Sequence, residues 1–413
     1  MSERTLADLR QKQALPLNVK VALTRERIRQ WVHEFGEDGV YISFSGGKDS
    51  TVLLDIVRNV CGYTDVPAVF VDVPTQYPEL KEFAQTFENV TILKPKISFA
   101  KVCEQYGFPI ISKEVSEAVE QARKYIKKVL TKYENDATTV QTDRQTDSIV
   151  FRSAFGIADL LGIPRRQGAE KAEPYQDLLK GIIPNEFLKN APVRVQSLYG
   201  KVIHKEKGQI TEEYSQRYDK KKYNFFLDAP FEISSMCCKI MKKAPLHSYA
   251  KNTGRVGITG QMAEESRLRT QKWINNGCNG FNLKNPISNP LSFWTEQDVL
   301  QYIVENDLKI CSVYGDVVVD YGDELEGQMT LGDFGLYQET KKYKCTGCER
   351  TGCVLCGYGC TMESKEEARF LKLKETHPKY YALLDVFKNN GITFREALEW
   401  TNEHMTGRGH IYF

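Results

Sequence analysis

The stretch SFSGGKDST, residues 43–51, constrains this chain more than any other. VYISFS (40–45) is a short β-branched and aromatic run, ended by Gly46–Gly47. Lys48, Asp49 and Ser50 then open the apolar helical stretch TVLLDIVRNV (51–60). Paired glycines let the backbone turn tightly with its amides facing inward. The helix that follows presents unpaired amides and the positive end of its dipole to an anion. Lys48 adds a mobile charge, and the hydroxyls of Ser45 and Ser50 add hydrogen bonds. The pattern reads as a phosphate or pyrophosphate cradle. The alternative is a plain Gly-Gly turn joining strand to helix. It is not a Walker A loop, whose glycines stand further apart.

The surroundings repeat the strand–helix alternation. A helical stretch (17–36) precedes the loop. PAVFVDV (67–73) is a buried strand, followed by a helix from Pro78 to Phe87, a strand (90–95) and a helix from Phe99 to Tyr106. VGITG (256–260) is a later strand running into a helix. Such alternation predicts an α/β fold with a doubly wound parallel sheet. The segment 113–235 breaks it with a mixed-charge helix, recurrent Gly and Pro, and the basic patch Lys220–Lys221–Lys222. We expect a mainly helical inserted subdomain there. Its basic excess suits nucleic-acid or nucleotide phosphates, or is simply a solvated helical face. The expected domains are 1–112, the first part of the nucleotide-binding domain; 113–235, the insertion; 236–310, its second part; and 311–413, a Cys-rich module with closing helices. Thr295 and Asp298 suit a helix N-cap and first turn, and Trp294 a core anchor.

Lys plus Arg total 56 and Asp plus Glu 54, so net charge implies no polyanionic partner for the whole chain. No apolar run is long enough to span a membrane. The charged start MSERTLADLRQKQ resembles no secretory signal, so a cytoplasmic location is expected. Seven of the 11 cysteines are clustered, as Cys237–Cys238 and the run Cys345, Cys348, Cys353, Cys356, Cys360. In a reducing compartment this implies metal or redox chemistry rather than disulfides. Two CxxC turns, with Gly347, Gly352, Gly357 and Gly359 between and beside them, are half-sites for zinc or an iron–sulfur cluster. Cys61, Cys103, Cys278 and Cys311 read as ordinary core or surface thiols.

The SGGKDS loop resembles the PP-loop (SGGxDS) of the ATP pyrophosphatase superfamily, most closely the phosphoadenosine phosphosulfate (PAPS) reductase family. Further stretches are similar to that family: FVDVPTQYPEL (70–80), MCCKIMKKAPL (236–246), GITGQMAEESRLR (257–269) and NPLSFWTEQDVLQYI (289–303). Val73–Pro74 replace a Thr-Gly, and Thr259–Gly260 stand where an Arg is common. The resemblance implies an adenine nucleotide α-hydrolase-like fold. It implies ATP or PAPS binding by Ser45, Gly46, Gly47, Lys48, Asp49, Ser50, Asp72, Gly260, Ser266, Arg267 and Arg269, with Lys48, Asp49, Asp72 and Arg267 catalytic. Asp72 would hold Mg²⁺ or a hydroxyl, or else cap the next helix.

Cluster-bearing adenylylsulfate (APS) reductases of the family ligate a 4Fe–4S cluster through a Cys-Cys pair and a distant CxxC. That implies a cluster on Cys237, Cys238 and one pair, Cys353/Cys356 in preference to Cys345/Cys348. A local zinc site on the 345–360 run is the alternative. Thioredoxin-dependent members carry a nucleophilic cysteine in a Glu-Cys-Gly-Leu-His-like tail, where this sequence reads TNEHMTGRGHIYF. The favoured expectation is therefore an enzyme that cleaves ATP to AMP and pyrophosphate, activating an acceptor for sulfur transfer. The acceptor side would be a nucleic acid or a sulfur carrier. The alternatives are a PAPS or APS reductase releasing sulfite, and a non-enzymatic nucleotide- and cluster-binding regulator.

Overall fold

A computed structural model describes residues 4–136, 188, 190–200, 202–206, 209–213, 219–320, 341–407 and 409–413. The insertion between 137 and 187 and the acidic, Gly-rich loop from 321 lie outside them. The chain divides into two compact units, Met1–Lys96 with Ile240–Cys353, and Ile97–Lys239 with Val354–Phe413.

The first unit carries a six-stranded sheet in the order 90–93, 68–71, 40–44, 256–259, 287–288, 279–280. The first five strands are parallel and the last is antiparallel. Val40–Phe44 and Ala68–Val71 are almost wholly buried, as expected for strands covered on both faces. The chain winds from 40–44 outward through 68–71 to 90–93. It then resumes at 256–259 on the other side of 40–44. The order therefore reverses between 40–44 and 256–259, and in open α/β sheets ligands bind beyond the carboxyl ends of strands at such a reversal.

Sequence patterning accounts for the packing. Trp31, Phe44, Phe70, Phe293 and Trp294 are fully buried in one core. Trp294 donates its indole N–H to Thr24 at 2.8 Å. Thr295 and Asp298 form a capping box on helix Glu296–Glu305. Asp298 also holds the buried Lys20 ammonium at 2.6 Å, so neither buried charge is uncompensated. Val317–Val319 forms a short strand antiparallel to Tyr343–Cys345.

In the second unit, helix Lys113–Asp136 buries Val115, Ala118, Val119, Ala122 and Ile126. Its Arg123 donates to the carbonyls of Phe226, Ala229 and Phe231 at 2.7–2.9 Å. Lys220, from the basic patch, pairs with Glu114 at 2.9 Å and is largely buried, so part of that patch is structural. The chain's last helix, Phe394–His404, packs here too. Phe394 stacks on Phe108 at 4.8 Å, and Asn389 bonds the Cys103 carbonyl and the Glu232 amide. The closing helices thus share a core with the start of the insertion, and the unit boundaries differ from those expected at 113, 236 and 311. The cysteine run is divided as well. Gly357–Tyr358 pairs in parallel with Ile110–Ile111, which draws Cys356 and Cys360 into the second unit, while Cys345, Cys348 and Cys353 belong to the first.

Candidate functional site

The first unit assembles its polar groups where the strand order reverses. Strand Val40–Phe44 ends at Ser45, and helix Lys48–Asp55 begins with Gly47 as an N-cap that has no side-chain cap. Ser50 braces the turn from inside. Its hydroxyl lies 3.1 Å from the Ser45 amide and 3.0 Å from the Ser45 hydroxyl, and donates to the Gly47 carbonyl at 2.8 Å. Gly46 adopts φ +73°, a left-handed conformation suited to glycine, and a Cβ there would meet the Leu80 carbonyl at 3.0 Å. Gly260, at the carboxyl end of strand Val256–Thr259, is needed for close approach. A Cβ there would stand 2.9 Å from the Asp49 carbonyl oxygen.

Lys48 is buried despite its charge. Its ammonium reaches Glu296 at 2.9 Å and the Glu349 carbonyl at 2.6 Å, and lies 5.3 Å from the centre of the Tyr314 ring. Burial works against the charge, but Asp49, Glu296 and Tyr314 outweigh it and hold the pKa above that of an ordinary lysine. The Tyr314 hydroxyl accepts from the Lys48 amide at 3.3 Å and shares a hydrogen bond with Thr351 at 2.6 Å. Residues 349–351 therefore form a strap against the loop. A Cβ on Gly47 would meet Tyr314, Ser45 and Thr351 oxygens at 3.1–3.3 Å.

Asp49 is the unusual member. Its Oδ1 is buried with no hydrogen-bond partner among the described residues. Burial pushes its carboxyl pKa up, against the opposing pull of Lys48, Arg350 and Arg269. Arg269 pairs with Glu265, and burial lowers its pKa while the Asp49 charge raises it. Arg267 is exposed, and Ser266 N-caps helix Arg267–Asn276. Of the two arginines it is Arg269 whose charge reaches the loop. Asp72 follows strand Ala68–Val71 and pairs with Lys81 at 2.8 Å. It does not cap the next helix, whose N-cap is Tyr77 ahead of Pro78. Sequence reasoning missed Glu296, Tyr314, Glu349, Arg350 and Thr351. One available signal was Arg350, the single arginine in the spacer between the CxxC turns.

The cysteines separate by unit. In the first, Cys345 is half-buried, with its thiol pKa pushed up by burial and pulled down by Lys48. Cys348 lies 3.6 Å from the Tyr77 hydroxyl. In the second, Cys237, Cys356 and Cys238 all act on the phenol of Tyr358, whose pKa is raised chiefly by burial. Cys360 is buried. Thiols are the right donors for an iron–sulfur cluster or zinc. Even so, no three His, Cys, Asp or Glu side chains among the described residues are drawn together as a ligand set. The donor chemistry fits such a group; the side-chain positions do not form its shell. Asp49, with its unpartnered carboxylate oxygen, is a hard donor of the kind Mg²⁺ takes.

A glycine loop and helix N-terminus at the reversal point of a doubly wound sheet mark an α/β protein built to hold an anionic ligand, and a nucleotide-binding domain fits that frame. The phosphoadenosine phosphosulfate reductase domain matches residues 39–155 and 193–357, and the chain belongs to that family of PP-loop enzymes. No curated protein matches it. No helix among the described residues is long and apolar enough to cross a membrane.

Proposed function

We propose that the chain binds ATP on the 45–50 loop and cleaves it to AMP and pyrophosphate, activating an acceptor for sulfur transfer. The acceptor would be a nucleic acid or a sulfur carrier. The observation that carries this reading is the loop itself: a helix start whose N-cap, Gly47, offers no side-chain cap, two close-packed glycines and Lys48 at the strand reversal. In this reading Lys48 and the helix amides hold phosphate oxygens. Asp49 and Asp72 are the carboxylates toward Mg²⁺, and Arg269, with Arg267 beside it, answers charge developing at the α-phosphate. A cluster, or zinc, on Cys237, Cys238 and a CxxC pair would supply the sulfur chemistry when bound.

The second reading is reduction of PAPS or APS with release of sulfite, and the description of the family as a phosphoadenosine phosphosulfate reductase domain favours it for PAPS. That reaction needs an accessible thiolate. Burial pushes the Cys61 thiol up to about 11 and the Cys103 thiol to about 12, which disfavours both as nucleophiles. A parallel assay separates the readings by supplying PAPS, APS, and ATP with tRNA or DNA, and measuring pyrophosphate and sulfite. We expect pyrophosphate with ATP and acceptor, and little sulfite. Sulfite release at enzyme-like rates would overturn the first reading and establish the second.

A further inference from the structure

The strap 349–351 is pinned to the phosphate loop on both sides of Arg350. The Glu349 carbonyl takes the Lys48 ammonium at 2.6 Å, and the Thr351 hydroxyl meets Tyr314, which in turn accepts from the Lys48 amide. The residue between them is consequently held at the loop. Arg350 is exposed, and it makes no hydrogen bond or ion pair among the described residues. Its charge is felt at Asp49, at Glu264 and at Arg269.

Two other cations of the site are already matched, Lys48 by Glu296 and Arg269 by Glu265. Arg350 adds a third positive charge within the field of Arg269. Two guanidinium charges that feel each other repel, although the Asp49 and Glu264 carboxylates lie in the same field. An oxyanion placed between them relieves that repulsion and takes the planar guanidinium donors in pairs. The exposed Arg350 and the strap pinned to the phosphate loop point to the same anionic ligand.

We propose that Arg350 is a phosphate-binding residue of the nucleotide site, delivered by the spacer between the two CxxC turns, and that it contacts the polyphosphate rather than the nucleoside. The proposal rests on the reading of the 45–50 loop as a nucleotide site. In functional terms, the Cys345–Cys348 turn becomes part of the nucleotide site, because it sets where Arg350 stands.

The test is calorimetric titration of the full chain with ATP and with inorganic pyrophosphate, for wild type, Arg350→Ala, Arg350→Lys and Lys48→Ala. Losing one charge-assisted contact should weaken both ligands about tenfold or more in Arg350→Ala. Arg350→Lys should recover part of that loss and keep a steeper salt dependence than Arg350→Ala. Because Arg350 is exposed, circular dichroism and melting should match the wild type. Wild-type affinity for both ligands in Arg350→Ala, with binding lost in Lys48→Ala, would overturn this assignment and leave the loop reading intact. If wild type binds neither ligand, or if Lys48→Ala binds like wild type, the loop reading falls and this proposal with it.

Discussion

Gly260→Ala tests whether the loop depends on the close approach of two backbone segments. A Cβ at that position would lie 2.9 Å from the Asp49 carbonyl oxygen, 3.2 Å from its carbon and 3.4 Å from the Ser50 amide nitrogen. These neighbours are backbone atoms at the start of helix Lys48–Asp55, so no side chain can swing aside. Relief needs a displacement of about 0.5 Å toward ordinary contact distances. Overpacking of this kind costs about 1–3 kcal/mol. At about 2–4 °C per kcal/mol for a domain of this size, the melting temperature should fall by roughly 2–12 °C. The shift also moves Ser50, whose hydroxyl braces Ser45, so ATP affinity should fall with stability. Gly352→Ala is the control, since a Cβ there meets nothing within 4 Å, and it should stay within about 0.5 kcal/mol of wild type. Differential scanning fluorimetry and calorimetry with ATP read both effects. If Gly260→Ala melts and binds like wild type, the close-approach argument is wrong.

Lys48→Ala and Gly47→Val should each weaken ATP binding by about 1–3 kcal/mol, the first by removing a charge and the second by placing a branched side chain against Tyr314 and Thr351. Calorimetry checks both, and unchanged affinity in both would remove the basis for the loop assignment. Anaerobically purified protein should be brown, with iron and sulfide of about four each, and Cys237→Ser and Cys238→Ser should each lose the colour. A colourless protein with one zinc, indifferent to both substitutions, supports a local zinc site instead. Asp49→Asn should raise the melting temperature of nucleotide-free protein at pH 7 while abolishing ATP cleavage. Burial raises the Asp49 pKa on folding, so its ionisation weakens the fold as pH rises above the unfolded value of about 3.9. The stability gap between variant and wild type should therefore widen from pH 4 to pH 7 and close again on acidification. A pH-independent gap would refute the cause assigned to it.

The elements that local pattern dictates were legible in the sequence. The strand before Gly46, the buried run Ala68–Val71, the cap at Thr295 and Asp298 and the Trp294 anchor all follow from periodicity and short-range chemistry. What the sequence hid depends on distant partners or on helix phase. Tyr314 and Glu349 meet Lys48 from 266 and 301 residues away, and no local pattern announces such contacts. With Ser266 as N-cap, Arg267 opens the helix in solvent while Arg269 lies two positions on, turned toward Asp49. A shift of two residues in the helix start would put Arg267 where Arg269 stands. Asp72 looked able to cap the next helix, but Pro78 sets the helix start after Tyr77 and leaves Asp72 to Lys81. The division of the cysteine run likewise rests on Gly357 pairing with Ile110, a strand contact two residues long.

The burial of Lys48 links these observations. An ammonium this deeply buried needs partners, and the protein supplies them as the Glu296 carboxylate and the Glu349 carbonyl. Both are oxygen acceptors, as phosphate is. In the proposed reaction, an entering polyphosphate competes with Glu296 for the same ammonium while Arg350 offers it an unpaired cation alongside. Loading the loop is then exchange rather than addition, because the charge that Lys48 gives to the nucleotide is taken from Glu296 and the strap. The strap is continuous with the Cys345–Cys348 turn, so a change of state at those thiols would reach the phosphate loop through Glu349 without passing through the core. In the proposed function, this short path would couple cysteine chemistry to nucleotide grip within one chain.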